Sequence, residues 1–193
     1  MHNNADNKHW GVEMKNIIIC GDCGSRILTK AIINACAVNG GAVVSDGNKI
    51  YETSENPEFL VISVDKISET DCRSGVIVFG KMQDKINTDI KIGGLIPIID
   101  TSNINALNIV RNSGIAAIGC SMSGHDTISI SGLTGFPTKM VSLQRTVKTL
   151  DGEVIEPHDF LVRLSEEMPI YPLLASCSVL LLSGISTLNE IQL

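Results

Sequence analysis

The sequence predicts an α/β domain: a mainly parallel sheet between helical layers, three layers in all, with an antiparallel β-ribbon near the C-terminus. Three observations predict it. Short β-branched runs alternate with amphipathic stretches over the first 120 or so positions, as in successive strand–helix–strand units. Of the 193 residues 44% are hydrophobic but only 4% aromatic, so the core is filled by Ile, Leu, Val and Ala, as in strands covered on both faces. After about Asp126 the pattern changes to apolar–polar alternation, which marks strands with one solvated face.

The elements follow in order. Residues 1–15 form a polar segment, and 16–193 read as one α/β domain. Asn16 to Cys20 (NIIIC) is a buried strand entering the turn Gly21-Asp22-Cys23-Gly24. Ser25 to Val38 carries apolar residues at 27, 28, 31, 32, 35 and 36, the stripe of an amphipathic helix, and Gly40-Gly41 ends it. Strands are expected at Ala42 to Ser45, Phe59 to Val64, Gly75 to Phe79 and Leu95 to Ile99. Within the last of these, Pro97 calls for a free edge or a bulge. A helix from Thr101 to Asn112, capped by Thr101, Ser102 or Asn103 and stopped by Gly114, leads to a strand at Ile115 to Gly119. Thr127 to Ser131, Lys139 to Thr149 and Phe160 to Leu164 form the ribbon, turning at Asp151-Gly152. An apolar helix, Tyr171 to Leu182, closes the pattern before Gly184.

Composition narrows the function. The net charge is −6, with Lys and Arg scattered, which disfavours a nucleic-acid groove or an anionic membrane surface. The N-terminal residues lack the apolar core of a signal peptide, and Leu173 to Leu182 is too short to span a bilayer, so a cytoplasmic location is expected. The six cysteines (Cys20, Cys23, Cys36, Cys72, Cys120, Cys177) are then expected as free thiols, mostly inside apolar runs. Cys20 and Cys23 have C-x-x-C spacing, but no second close pair of Cys or His completes a zinc site, so no metal is expected.

The Gly21–Gly24 turn between a strand and a helix is a natural anion site, because backbone N–H groups converge there and the helix dipole favours negative charge. A Walker-type loop would follow its last Gly with Lys and then Ser or Thr; Ser25 and Arg26 stand there instead. Asp22 adds a negative charge inside the loop. A dinucleotide reading is weaker still, since no G-x-G-x-x-G is present. Asp84 and Asp100 fall at predicted strand C-termini, where they either hold a ligand or cap turns. Ser123-Gly124-His125-Asp126 reads as a turn with a solvated histidine, His158 as a loop residue and Arg145 as a surface charge.

Taken in order, these segments resemble the central nucleotide-binding domain of the Mur ligases. Ile18 to Arg26 is similar to that family's strand and T-G-T-N-G-K-T/S loop; Gly21 and Gly24 match, while Cys20, Asp22, Cys23, Ser25 and Arg26 differ. Phe59 to Ser63 falls on a family strand that ends in an acidic magnesium ligand, replaced here by Ser63 with Asp65 two residues on. Val76 to Ile86 resembles the strand followed by T-N-I-x-x-D-H-L, keeping Asp84 but with Lys85 in place of the metal-binding His. Ile98 to Asn103 resembles V-x-N-x-D-D without its acidic pair. Between Ile86 and Leu95 the chain is too short for the helix that bears the carbamylated lysine. Ile115 to Gly119 with Asp126 to Ile128, and Leu174 to Ser186, resemble the segments that begin the ribbon and close the domain.

The resemblance covers residues 16 to 187. It implies descent from ATP- and Mg2+-dependent, amide-bond-forming ligases of bacterial peptidoglycan synthesis, with much of the phosphate chemistry replaced. The resulting expectation is a catalytically inactive, Mur-ligase-like binding or interaction module, with residues 21–26 as an eroded phosphate loop and Asp65, Asp84, Lys85 and Asp100 as a neighbouring pocket. The alternatives are an ATP-binding ligase or subunit completed by a partner chain, with Arg26 in the role of the Lys, and a small-molecule binder. The amine-binding C-terminal domain of the family lies beyond the matched region, so a protein partner is an open expectation; short ribbon edges make a homo-oligomer another.

Overall fold

The computed structural model describes residues 14–22, 26–81, 90–132, 135–186 and 190–193. Its elements are β1 (Lys15–Cys20), α1 (Ile27–Val38), β2 (Ala42–Ser45), β3 (Ile50–Glu52), β4 (Phe59–Val64), β5 (Glu69–Asp71), β6 (Val76–Phe79), β7 (Lys91–Gly93) and β8 (Ile96–Asp100). Then come α2 (Ile104–Ser113), β9 (Ile118–Ser121), β10 (Ile128–Ile130), β11 (Thr138–Leu143), β12 (Val147–Lys148), β13 (Val154–Ile155), β14 (His158–Arg163), α3 (Ile170–Leu182) and β15 (Ile191–Gln192).

One 11-stranded sheet runs in the order β15-β14-β11-β10-β9-β8-β6-β1-β4-β2-β3. From β2 to β10 every neighbouring pair is parallel, and β11 and β14 continue it as antiparallel strands. The predicted α/β class with a C-terminal antiparallel ribbon is therefore the observed one.

Alternation along the central strands explains the layering. On β1, Ile17 and Ile19 enter one core with α1 and α3, while Ile18 and Cys20 enter a second core beneath α2 and the small β5–β7 sheet. Both faces are buried, so period-two polarity is absent and the strand reads as a continuous apolar run. The first core contains α3, buried at every position from Pro172 to Leu182, and packed on α1 and on β6, β8, β9 and β10. α1 turns Leu28, Ala31, Ile32, Ala35 and Cys36 inward, as the stripe predicts, but leaves Ile27 43% exposed.

Several boundaries differ from expectation for local reasons. Ser25 lies outside the described residues, and α1 starts at Ile27 because Arg26 adopts a left-handed conformation (φ 51°) that a helix cannot include. α2 begins at Ile104, since the Asn103 side chain accepts the Ala106 N–H (3.3 Å), and it ends at Gly114 in the left-handed region (φ 67°). The strand expected at Ile115 to Gly119 is displaced to Ile118–Ser121. β10 is only half ribbon: it is antiparallel to β11 but parallel to β9, joining the two parts of the sheet. The expected strand from Lys139 to Thr149 breaks at residues 144–146, and β12 pairs with β13 as a separate hairpin. Pro97 sits inside the sheet. Ile96 donates its N–H to Gly75 on the β6 side (2.9 Å), so the N–H that Pro97 lacks would face the β9 side, where pairing begins only at Ile98.

Among the described residues, no helix is long and apolar enough to cross a membrane. Among the described residues, Cys36, Cys72, Cys120 and Cys177 are free thiols. Burial pushes the Cys36 and Cys120 thiols up to about 12, and raises Cys177 further. A thiol raised on folding favours the folded state fully below the unfolded thiol value, and that contribution is lost as pH climbs towards the folded value. Stability is therefore expected to fall between about pH 9 and pH 12. At pH 8, Ellman's reagent should label Cys36, Cys120 and Cys177 at the rate of unfolding; labelling as fast as in a free peptide would contradict this burial.

Candidate functional site

The C-terminal ends of β1, β4, β6, β8 and β9 share one edge of the parallel sheet, where open α/β folds place ligands. Gly21 leaves β1 at φ 83° and donates its N–H to Val64 (3.0 Å). Beside it Gly80 leaves β6, donating to Cys20 (2.8 Å) and lying flat on the Gly21–Asp22 backbone. A β-carbon at position 80 would come within 2.9 Å of the Asp22 nitrogen and 3.0 Å of its Cα, so only glycine fits without displacing the turn.

That packing aims Asp22 back at the helix. Its carboxylate accepts the backbone N–H of Thr29, in the first turn of α1, at 2.8 Å. A negative charge on an otherwise unpaired helix donor is favourable, and α1 has no acidic residue in its first turn and no side-chain cap from Arg26. Asp22 thus caps α1 from outside the helix. Asp22→Ala should cost about 1 kcal/mol, lowering the thermal midpoint by a few degrees. A midpoint unchanged within error would show that the cap is not stabilising.

Arg26 turns elsewhere. Its carbonyl accepts the Lys30 N–H (2.9 Å), and its guanidinium Nη1 lies 3.5 Å from the Asp46 carboxylate beyond the end of β2. That carboxylate also accepts the N–H groups of Asn48 (3.0 Å) and Lys49 (3.1 Å). These two backbone bonds chiefly, with the Arg26 charge adding, hold Asp46 below the usual carboxylate range. The Arg26 side chain is 47% exposed, so the pair contributes little to stability but does direct the guanidinium towards β2.

Between the starts of the three helices lies an open cleft of about 550 Å³. Ile27, Leu28, Ile104, Pro169 and Pro172 give it apolar walls, and Asp22, Lys81, Asp100, Ser102 and Asn103 give it polar groups. Tyr171 lines it from the first turn of α3 and donates its hydroxyl to the Phe79 carbonyl (2.6 Å), with the Ile98 carbonyl at 3.4 Å. Burial, then the Cys120 thiol and the Asp100 carboxylate, push the phenol well above its ordinary range, so it stays a donor. Asn103 donates to the Gly80 carbonyl (3.0 Å) while capping α2, which ties the ends of β6 and β8 together. Tyr171→Phe would leave the Phe79 carbonyl without this donor and should cost about 1–2 kcal/mol in a denaturant titration; a change within ±0.3 kcal/mol would contradict that role.

Of the residues singled out in the sequence, the structure brings Asp22 and Asp100 to this cleft together. Asp100 also closes a turn, accepting both the N–H (2.9 Å) and the hydroxyl (2.6 Å) of Ser102. Gly21 shapes the turn beside the cleft, and Arg26 faces Asp46. Asp65 is exposed past the end of β4 and is not among the described residues lining the cleft. Cys23, Gly24, Ser25, Asp84 and Lys85 lie outside the described residues. Thr29 and Ser63 bring their hydroxyls within 3.4 Å of each other, joining α1 to β4.

Three cleft residues, Lys81, Asn103 and Tyr171, were not indicated as site residues by the sequence. Asn103 was legible only as a helix cap, and Tyr171 only as the polar start of an apolar helix. His125 is exposed, as expected, and its carbonyl accepts Arg145 (2.7 Å). Its neighbour Asp126 is a structural link that the sequence did not reveal: its carboxylate accepts the hydroxyls of Thr101 (2.9 Å) and Ser121, joining the ends of β8 and β9. Among the described residues, no three His, Cys, Asp or Glu side chains converge as metal ligands.

No protein-family model matches this chain, and no curated protein matches its sequence. The fold has a solved counterpart. The chain superimposes on a UDP-N-acetylmuramoyl-L-alanyl-D-glutamate--2,6-diaminopimelate ligase with a TM-score of 0.59 and 9% sequence identity. The match covers 90% of this chain but only 44% of the ligase chain. This chain has a fold similar to part of a Mur ligase.

Proposed function

We propose that this chain is a binding or interaction module on a Mur-ligase-like fold, and that it does not carry out ATP-dependent amide-bond formation. One observation carries the reading: the Asp22 carboxylate sits 2.8 Å from the Thr29 N–H, on the α1 terminus where a phosphate group would have to bind. Displacing it would leave a carboxylate facing a triphosphate, and repulsion replaces the attraction that phosphoryl-transfer sites rely on. Arg26, the candidate substitute for the loop lysine, faces Asp46 instead. The described residues therefore do not fit ATP and Mg2+, and no catalytic step is assigned to them. The cleft beside the loop remains available to a different ligand.

Calorimetric titration with ATP and Mg2+, on the wild type and on Arg26→Ala, tests this. The expected result is no saturable heat with either protein at millimolar nucleotide. Micromolar, magnesium-dependent binding that is lost in Arg26→Ala would establish the nucleotide-enzyme alternative instead.

A further inference from the structure

We propose that the face of the β11–β14 ribbon turned away from α3 is the contact surface of a homodimer, two copies of this chain stacked face to face about a two-fold axis. The proposal gives the interaction module a partner and does not depend on the cleft or on nucleotide. Strand alternation defines the face. On β14, Phe160 and Val162 enter the core with α3, while Asp159, Leu161 and Arg163 point the other way and are exposed. On β11, Val141 and Leu143 enter the same core, so Met140 and its neighbours at 138 and 142 share the face of Leu161. The register sets Met140 opposite Leu161, Thr138 opposite Arg163 and Ser142 opposite Asp159. The centre of the face is therefore apolar, with Leu161 41% exposed. A carboxylate lies about 7 Å along the strand on one side of it and a guanidinium about 7 Å along on the other.

That order, anion then apolar then cation, is self-complementary. A two-fold axis lying between the copies, perpendicular to the strands and over the Leu161–Met140 pair, lays each β14 antiparallel on the other. Leu161 then meets Leu161 of the second copy, Met140 meets Met140, and Asp159 and Arg163 each meet the opposite charge. An axis along the strands would set like charges face to face, which selects against that alternative. Both charged groups keep capacity for the contact. Asp159 accepts the Ser131 hydroxyl (3.3 Å), and a carboxylate has about four acceptor sites. Arg163 lies 3.6 Å from Glu190, but its side chain is 57% exposed and a guanidinium has about five donors. The size of the face sets the strength. Two six-residue strands cover about 20 Å by 10 Å, below a standard protein–protein interface, so the dimer is weak, with a Kd on the order of 100 µM.

Sedimentation equilibrium of the full chain, from about 10 µM to about 1 mM at low salt, tests this. The wild type is expected to pass reversibly from monomer to dimer, and added salt to weaken the association by about threefold or more. Asp159→Arg gives each copy two cations on the face and Arg163→Asp gives it two anions, so either variant alone should associate about tenfold more weakly or worse. A one-to-one mixture of the two should recover association, because every cation then meets an anion. Leu161→Glu, which sets two carboxylates against each other on the axis, should abolish it without touching Arg163 or Glu190. The thermal midpoint of each variant reports that it is folded. A wild type that stays monomeric throughout would overturn the proposal. So would Leu161→Glu associating as strongly as wild type, or a mixture that associates no better than its two components. None of these results bears on ATP binding, so failure here is distinguishable from failure of the functional reading.

Discussion

Leu174→Ala should destabilise the protein by about 3 kcal/mol and lower its thermal midpoint by roughly 10 °C. Leu174 is fully buried in the middle of α3, a helix with no solvated face from Pro172 to Leu182. The helix packs against α1 on one side and the parallel strands on the other, so neither neighbour can collapse into the space without losing its own contacts. The effect extends to the cleft, since the same helix carries Tyr171 to the carbonyls of Phe79 and Ile98. A loss below 1 kcal/mol in a denaturant titration would mean that α3 is not packed in this way.

Gly80→Ala should act on the loop rather than the core. Its new methyl would meet the backbone of Asp22 at 2.9 Å and that of Gly21 at 3.0 Å, and backbone cannot rotate aside as a side chain can. Relief requires the β1–α1 turn to move, which costs about 1–3 kcal/mol and draws the Asp22 carboxylate off Thr29. The Thr29 amide is the reporter: its resonance should move upfield and its hydrogen exchange should accelerate, while amides in β10 and β11 stay unchanged. An unaltered Thr29 resonance would show that Gly80 does not position the turn.

Much of this architecture was legible because the physics that shapes it is local. The β-branched runs at 16–20, 59–64 and 76–79 read as strands from their short length and residue types, and the α1 stripe, the Asn103 cap and the Gly114 stop are written in adjacent residues. What was not legible depends on distant partners. The strands β3, β5, β7, β13 and β15 are two or three residues long and exist because a neighbour pairs with them. The parallel pairing of β10 with β9 cannot be told from a ribbon strand by alternation alone.

The site shows the same division. Asp22 could be identified as a charge in the wrong place for phosphate, but its bond to Thr29 depends on how Gly80, 58 positions later, presses on the turn. Tyr171 and Asn103 enter the cleft only through the long-range crossing of α3 and α2 with the strand ends.

Asp22 occupies the α1 terminus, and the Thr29 amide reports on that contact directly. ATP with Mg2+ should be titrated into 15N-labelled protein at neutral pH while the Thr29 resonance is followed. The predicted result is a Thr29 amide that stays at its position, held by the carboxylate, through millimolar nucleotide. A saturable, magnesium-dependent displacement of that resonance would mean that phosphate replaces Asp22, and would contradict its role in excluding nucleotide.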